Sequence, residues 1–247
     1  MYQFESRVRY SEVDSGGELT WLALMDYFQD CSVFHSEEHD LSLSYLTQNH
    51  IAWVLSSWQI CVNRMPALAE PVVVRTWAYG MKGFYGYRNF ELCGGQKERL
   101  AYANSVWVLI ATETGRPVKI PQIMVDRYGL YPQLPMNCCE RKIRVPETYR
   151  KEEPFVVPQY FIDTNQHMNN SRYVQTAFQY LPKDFAVQEV RVDYRRAAVQ
   201  SDILIPKVTL EEKRAVVVLD AMEPKPFAVI EFLSEKSAGI QENGTCE

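Results

Sequence analysis

Ile162-Asp163-Thr164-Asn165-Gln166-His167-Met168-Asn169-Asn170 ends a strand-like run and opens a helix-like one. Val13-Asp14 makes the same transition 149 positions earlier, a few residues before another helix-like run. Tyr2, Phe4, Val8 and Tyr10 alternate with polar residues, the period of a half-buried strand. Trp21, Leu24, Met25, Phe28 and Cys31 then recur at helical spacing behind Thr20, a fitting N-cap. A short helical patch spans 42–48, and β-rich runs follow at 51–65, 71–79, 84–93 and 100–112. The second half repeats this order, with a strand at 155–162, a helix at 169–181 and strands at 186–197, 203–210, 215–222 and 227–233. A duplicated unit in which a sheet wraps one helix accounts for both halves, because each element then buries one face.

These boundaries divide the chain into a first domain at 1–130, a linker at 131–154, a second domain at 155–236 and a flexible tail at 237–247. The linker assignment rests on Pro132, Pro135, Pro146 and Pro154 and on the absence of sustained periodicity. The 247 residues are 47% hydrophobic and 23% charged, which fits a folded chain and excludes a disordered or collagen-like one. The net charge of −5 offers no basic excess for a nucleic-acid backbone. No apolar run reaches the ~18 residues of a membrane span. The alternating charges of the first ten residues are unlike a signal peptide, so a cytoplasmic location is expected. Six cysteines without a CxxC pair are then expected to be thiols, mostly packing residues.

Several common chemistries lack their motifs: there is no GxSxG, GxGxxG or GxxxxGK[ST]. His35-Ser36-Glu37-Glu38-His39 fits a zinc-binding spacing, but it falls where the helical pattern ends and has no evident third ligand. A solvated helix end is the expectation there, with no metal and no cofactor. The vicinal pair Cys138-Cys139 is read as incidental.

The segment 163–170 is the informative one. Its polar side chains sit where a helix N-terminus supplies free N–H groups and a positive dipole end, suited to a developing oxyanion. The same dipole favours a neutral imidazole at His167, able to accept a proton.

D-x-N-x-H-x-N-N at the start of a second-half helix resembles the active-site motif of the acyl-acyl carrier protein thioesterases, a tandem hotdog family. Tyr10-x-x-x-Asp14, Trp58, Arg64-Met65-Pro66, Thr76-Trp77, Thr114-Gly115-Arg116-Pro117, Ile120-Pro121 and the run from Tyr194 to Asp202 resemble the family as well. The resemblance covers about residues 1–233. It implies an α+β fold of two hotdog domains, each an antiparallel sheet wrapped around a long helix. It also implies hydrolysis of fatty acyl-acyl carrier protein by water, ending fatty acid synthesis, by a monomer or a homodimer. Under it, Asn165 holds the thioester or water, His167 orients or deprotonates the water, and Asp163 polarises its neighbours. The first domain supplies the acyl pocket, with Trp21, Leu24, Met25 and Phe28 as lining.

One position departs from the family pattern. Ala197, in Tyr194-Arg195-Arg196-Ala197, stands where the family usually carries a glutamate, and Asp193 is about 13 Å away along a strand. An acidic carrier protein needs a local basic patch, for which Arg191, Arg195 and Arg196 are the candidates, with Lys207, Arg214 or Arg172 beside them. Two alternatives are an acyl-CoA thioesterase of the same fold and a weakly active acyl-binding hotdog protein.

Overall fold

The computed structural model describes residues 1–221, 225–236 and 246. They form two compact units: Met1–Ser56, Val62–Cys138 and Cys246 in the first, and Ser57–Cys61 with the described residues from Cys139 onward in the second.

The first unit begins with β1 (Tyr2–Arg7), whose residues alternate between half-buried and exposed as the sequence pattern requires. A single 3-10 turn at Tyr10–Glu12 leads to α1 (Trp21–Glu38), where Thr20 Oγ1 accepts from the Ala23 amide at 3.2 Å. Next come α2 (Leu43–Gln48), β2 (Ile51–Val62), β3 (Pro71–Lys82), β4 (Tyr85–Gly94), β5 (Arg99–Ala111) and α3 (Gln122–Tyr128). The strands lie in the order β1-β3-β4-β5-β2, and α1 packs on β1 and β3. Its buried face holds Leu24, Met25, Phe28, Cys31 and His35. Below α2 and α3, Leu41, Leu46, Leu109, Ile120, Met124 and Tyr128 form a second apolar cluster.

The second unit contains β6 (Arg150–Lys151), β7 (Phe155–Val156), α4 (Asn170–Phe178), β8 (Glu189–Tyr194), β9 (Ile203–Leu210), β10 (Arg214–Asp220) and β11 (Ala228–Leu233). Its strands run β8-β11-β10-β9-β6, β7 also pairs with β9, and Ser57–Cys61 pairs with β8. α4 packs on β10 and β11, with Phe178 edge-on to Phe232 at 4.7 Å. Both units therefore show the expected α+β arrangement of an antiparallel sheet against a helix. In the second the helix has nine residues, shorter than 169–181, because the chain passes into turns after Phe178.

Several expectations need correction. The proline-rich stretch is packed rather than a free linker: Trp77 Nε1 donates to the Pro132 carbonyl at 2.9 Å, and the Leu134 amide donates to Asn89 Oδ1 at 2.9 Å. Ile143 is buried against Val216, Val218 and Val229. Prolines removed the periodicity there without removing the apolar contacts. The region read as a strand at 155–162 is β7 followed by a 3-10 turn at Gln159–Phe161. Cys93 and Cys246, 6.3 Å apart at Cα, form a disulfide, while Cys31 and Cys61 are buried thiols. His35 is fully buried, so the end of α1 is not solvated on that face. Met222 and the tail assigned to 237–247 lie outside the described residues, apart from Cys246.

On the second sheet Glu231 is buried between Arg191, its cross-strand partner, and Arg214, whose Nε lies 2.6 Å away. Replacing Glu231 by Ala would leave two guanidinium groups without their shared carboxylate. The expected cost is about 2 kcal/mol, below the usual range for a buried pair because Arg214 is a third exposed. Thermal denaturation should show a Tm lower by several degrees; an unchanged Tm would mean that solvent already screens the cluster.

Candidate active site

The segment from Gln159 to Asn170 folds as a closed loop. A 3-10 turn at Gln159–Phe161 leads into an isolated antiparallel bridge between Ile162 and Met168. Across it the Asp163 amide donates to the His167 carbonyl at 2.8 Å. Inside the loop Asp163 Oδ1 accepts from the amides of Asn165, at 2.8 Å, and His167, at 3.4 Å. Gln166 takes a positive φ of 63°, a left-handed conformation that lets its amide reach the Asp163 carbonyl at 3.1 Å. Met168 is buried and its amide donates to the Ala198 carbonyl at 2.8 Å, fixing the loop to the chain after β8.

Asn169 then caps α4. Its amide donates to the Phe161 carbonyl at 2.8 Å, and its Oδ1 accepts from the amide and hydroxyl of Ser171, each at 3.0 Å. The Ser171 N–H is thereby taken by the cap and is not open to an oxyanion. Tyr173, one turn into α4, accepts from the Ala198 amide at 2.8 Å, and burial raises its phenol above the ordinary range.

The first unit builds the same loop at the constant offset of 149 positions, from Tyr10–Glu12 through Trp21. Asp14 Oδ1 accepts from the amides of Gly16, at 2.8 Å, and Glu18, at 3.2 Å. Val13 bridges to Leu19, Gly17 has φ 79°, and Thr20 caps α1. The backbone device is thus duplicated, whereas the side chains it presents are not. Where the second loop carries Asn165 and His167, the first carries Gly16 and Glu18.

The structure brings Asp163, Asn165 and His167 into one loop, with Asn165 and His167 exposed and Asp163 partly buried. No hydrogen bond joins the Asn165 and His167 side chains to another described residue. Trp21, Leu24, Met25 and Phe28 belong to the first unit, where the last three are fully buried and Trp21 is half-buried. Phe28 packs on Phe90 of β4 with ring centroids 5.2 Å apart.

The basic residues proposed for docking already have internal partners. Arg191 pairs with Glu231 and donates to the Glu140 carbonyl, and Arg195 pairs with Asp193 at 2.8 Å and donates to the Ile143 carbonyl. Arg196 lies over the Phe227 ring at 4.0 Å, and Lys207 pairs with Asp220. Asp193 is held by Arg195 and the Ile143 amide, so it does not stand in for a carboxylate at Ala197, which is exposed. The buried Arg88 and His35 were missed in the sequence, although Arg88 shares strand parity with Phe90 and Leu92, which marks an inward position.

Two family models match this chain. The acyl-ACP thioesterase N-terminal domain matches residues 1–128 and the acyl-ACP thioesterase C-terminal domain matches residues 146–219. Oleoyl-acyl carrier protein thioesterase 1, chloroplastic, of Arabidopsis thaliana is 24% identical over 228 residues, covering 82% of this chain and 62% of the relative. Dodecanoyl-[acyl-carrier-protein] hydrolase, chloroplastic, of Cinnamomum camphora is 24% identical over 217 residues, covering 80% and 56%. The chain thus spans about 60% of the length of these relatives. In fold it resembles an acyl-ACP thioesterase from Bacteroides thetaiotaomicron, with a TM-score of 0.86, 21% identity and coverage of 94% of this chain and 96% of the other. The 12:0-ACP thioesterase of Umbellularia californica gives a TM-score of 0.84 at 18% identity, with the same coverage. With family models matching both halves, in the order in which the chain builds its two loops, this protein belongs to the acyl-ACP thioesterase family.

Proposed function

We propose that this chain hydrolyses the thioester between a fatty acyl group and the phosphopantetheine arm of acyl carrier protein. The observation that carries the reading is the contrast between the twin loops. The same Asp-closed backbone presents Gly16 and Glu18 in one unit and Asn165 and His167 in the other, so polar chemistry is confined to the second. Family membership supplies the substrate class.

In this reading His167 takes a proton from water as the water oxygen bonds to the thioester carbon. The C–S bond then breaks, and the departing thiolate receives that proton, leaving a free fatty acid and the carrier thiol. Asn165 donates its side-chain N–H to the carbonyl oxygen or holds the water. A positioned base of this kind contributes ~10²–10⁴ in rate. Asp163 is a positioning residue: its Oδ1 is committed to the amides of Asn165 and His167, as that of Asp14 is to its own loop. With Ala197 in place of the family's glutamate, His167 has no second base beside it in this scheme, and the predicted enzyme is slow. A base-poor site also fits an acyl-binding protein with weak turnover.

Three measurements test the proposal. Fatty-acid release from a panel of acyl-carrier-protein thioesters should exceed release from matched acyl-CoAs, and should fall by roughly 10²-fold or more in His167→Ala. Equal rates in protein and variant would overturn the catalytic role and leave the binding protein. Asp163→Asn keeps the Oδ1 acceptor and should retain most of kcat, whereas Asp163→Ala should lose it and destabilise the loop by about 1 kcal/mol. Equal loss in both would mean that the carboxylate charge itself takes part. Ala197→Glu should raise kcat at least about tenfold by supplying a base; a fall would show a site organised without one.

A further inference from the structure

Arg88 of β4 is a buried cation with no acid beside it. Only 7% of the residue is accessible. Its Nη1 donates to His35 Nδ1 at 2.8 Å and to Thr76 Oγ1 at 3.1 Å, and its guanidinium carbon lies 5.3 Å from the centre of the Tyr128 ring. Thr76 passes its own proton to the Asn89 carbonyl at 2.9 Å. Every one of these partners is neutral, and among the described residues no aspartate or glutamate pairs with Arg88. By contrast, Arg99 on the neighbouring strand meets Glu91 at 2.6 Å. Interior guanidinium groups are ordinarily paired, since an uncompensated buried charge is costly.

His35 adds a second unmet group. Arginine can only donate, so Nδ1 accepts and the ring proton of the neutral imidazole sits on Nε2. Nε2 is buried and has no partner among the described residues. Burial, and then the positive charges of Arg88 and His39, push the His35 pKa down to about 2, which keeps the ring neutral. The cluster therefore offers the remaining guanidinium N–H groups and one imidazole N–H, carries one positive charge and contains no acceptor for them. A monoanion with two oxygens matches that set, whereas a dianion would exceed its charge.

The cluster sits at the end of the apolar stripe of α1. Phe28 packs on Phe90, and two turns further along, ~10 Å of helix, His35 meets Arg88, which shares a β4 face with Phe90. Leu24, Met25 and Phe28 of that stripe are the residues assigned above to the acyl chain. We propose that Arg88 and His35 form a receptor for a carboxylate at the far end of an acyl chain, making this chain selective for ω-carboxyacyl thioesters over methyl-ended ones. The proposal rests on the acyl-thioesterase reading for the direction of the chain. The charge imbalance stands independently of that reading.

The test is binding of free acids to the whole protein by calorimetry, which needs no turnover. Saturated α,ω-diacids and monoacids of matched length are compared over a series of lengths, with a chloride titration alongside. At one or more lengths the diacid should bind roughly tenfold or more tightly than the monoacid, and chloride should compete with the diacid alone. Arg88→Met should abolish the preference while Tm stays level or rises, because it removes an unpaired buried charge. Should that variant fail to fold, His35→Leu, which removes the Nε2 donor, should reduce the preference severalfold.

No diacid preference at any length, or a preference that survives both variants, would overturn the proposal. Arg88-dependent chloride binding without a diacid preference would also overturn it and leave a small-ion site. A protein that binds diacids but releases no fatty acid from acyl carrier protein would contradict only the catalytic reading.

Discussion

One carboxylate oxygen on two backbone amides sets the geometry of each helix entry in this protein. Asp14 and Asp163 both accept from the residues two and four positions on, and each loop then hands over to a capped helix. Without those bonds the amides would compete for water, and a loop with a left-handed residue at Gly17 or Gln166 would have little to hold it. Everything assigned to chemistry hangs on this device, because Asn165 and His167 are exposed and take their position from the loop backbone. The first loop shows that the device is structural: it persists at Asp14 with no imidazole to orient.

Much of this was legible in the sequence, and the physical reasons are local. Alternation in 2–8 and helical spacing from Trp21 to Cys31 each report one buried face, so β1 and α1 fall where the patterns put them. The 149-residue offset was visible from Val13-Asp14 and Ile162-Asp163 alone, and the structure extends it to the flanking turns and caps. The proline-rich stretch misled, since periodicity is a property of regular elements while Leu134 and Ile143 bury themselves from irregular backbone. α3 was missed for a related reason: its seven residues are too few to display a period. Arg88 was unreadable as a site because its meaning lies in what is absent around it, which only three-dimensional neighbours reveal.

The two units handle buried charge in opposite ways. In the second, Glu231 serves Arg191 and Arg214, Asp193 serves Arg195, and Asp220 serves Lys207, so charge is cancelled within the sheet. These pairs hold the arginines that sequence reasoning had assigned to a partner, and any docking surface has to draw on what remains exposed. In the first, Arg99 and Glu91 follow the same rule and Arg88 breaks it. A fold that pairs its other interior cations and leaves this one open bears a cost in stability, the usual mark of a residue kept for something other than folding.

The Cys93–Cys246 bond has a topological consequence. Their separation of 153 positions places the second unit from Cys139 onward inside a covalent ring, although neither cysteine belongs to that unit. When the second unit unfolds with the bond intact, its chain remains a closed circle with fewer conformations than an open strand, a restriction worth up to about 5 kcal/mol in the chain-entropy picture. Oxidation state in one unit is thus felt as stability in the other without any contact having to transmit it.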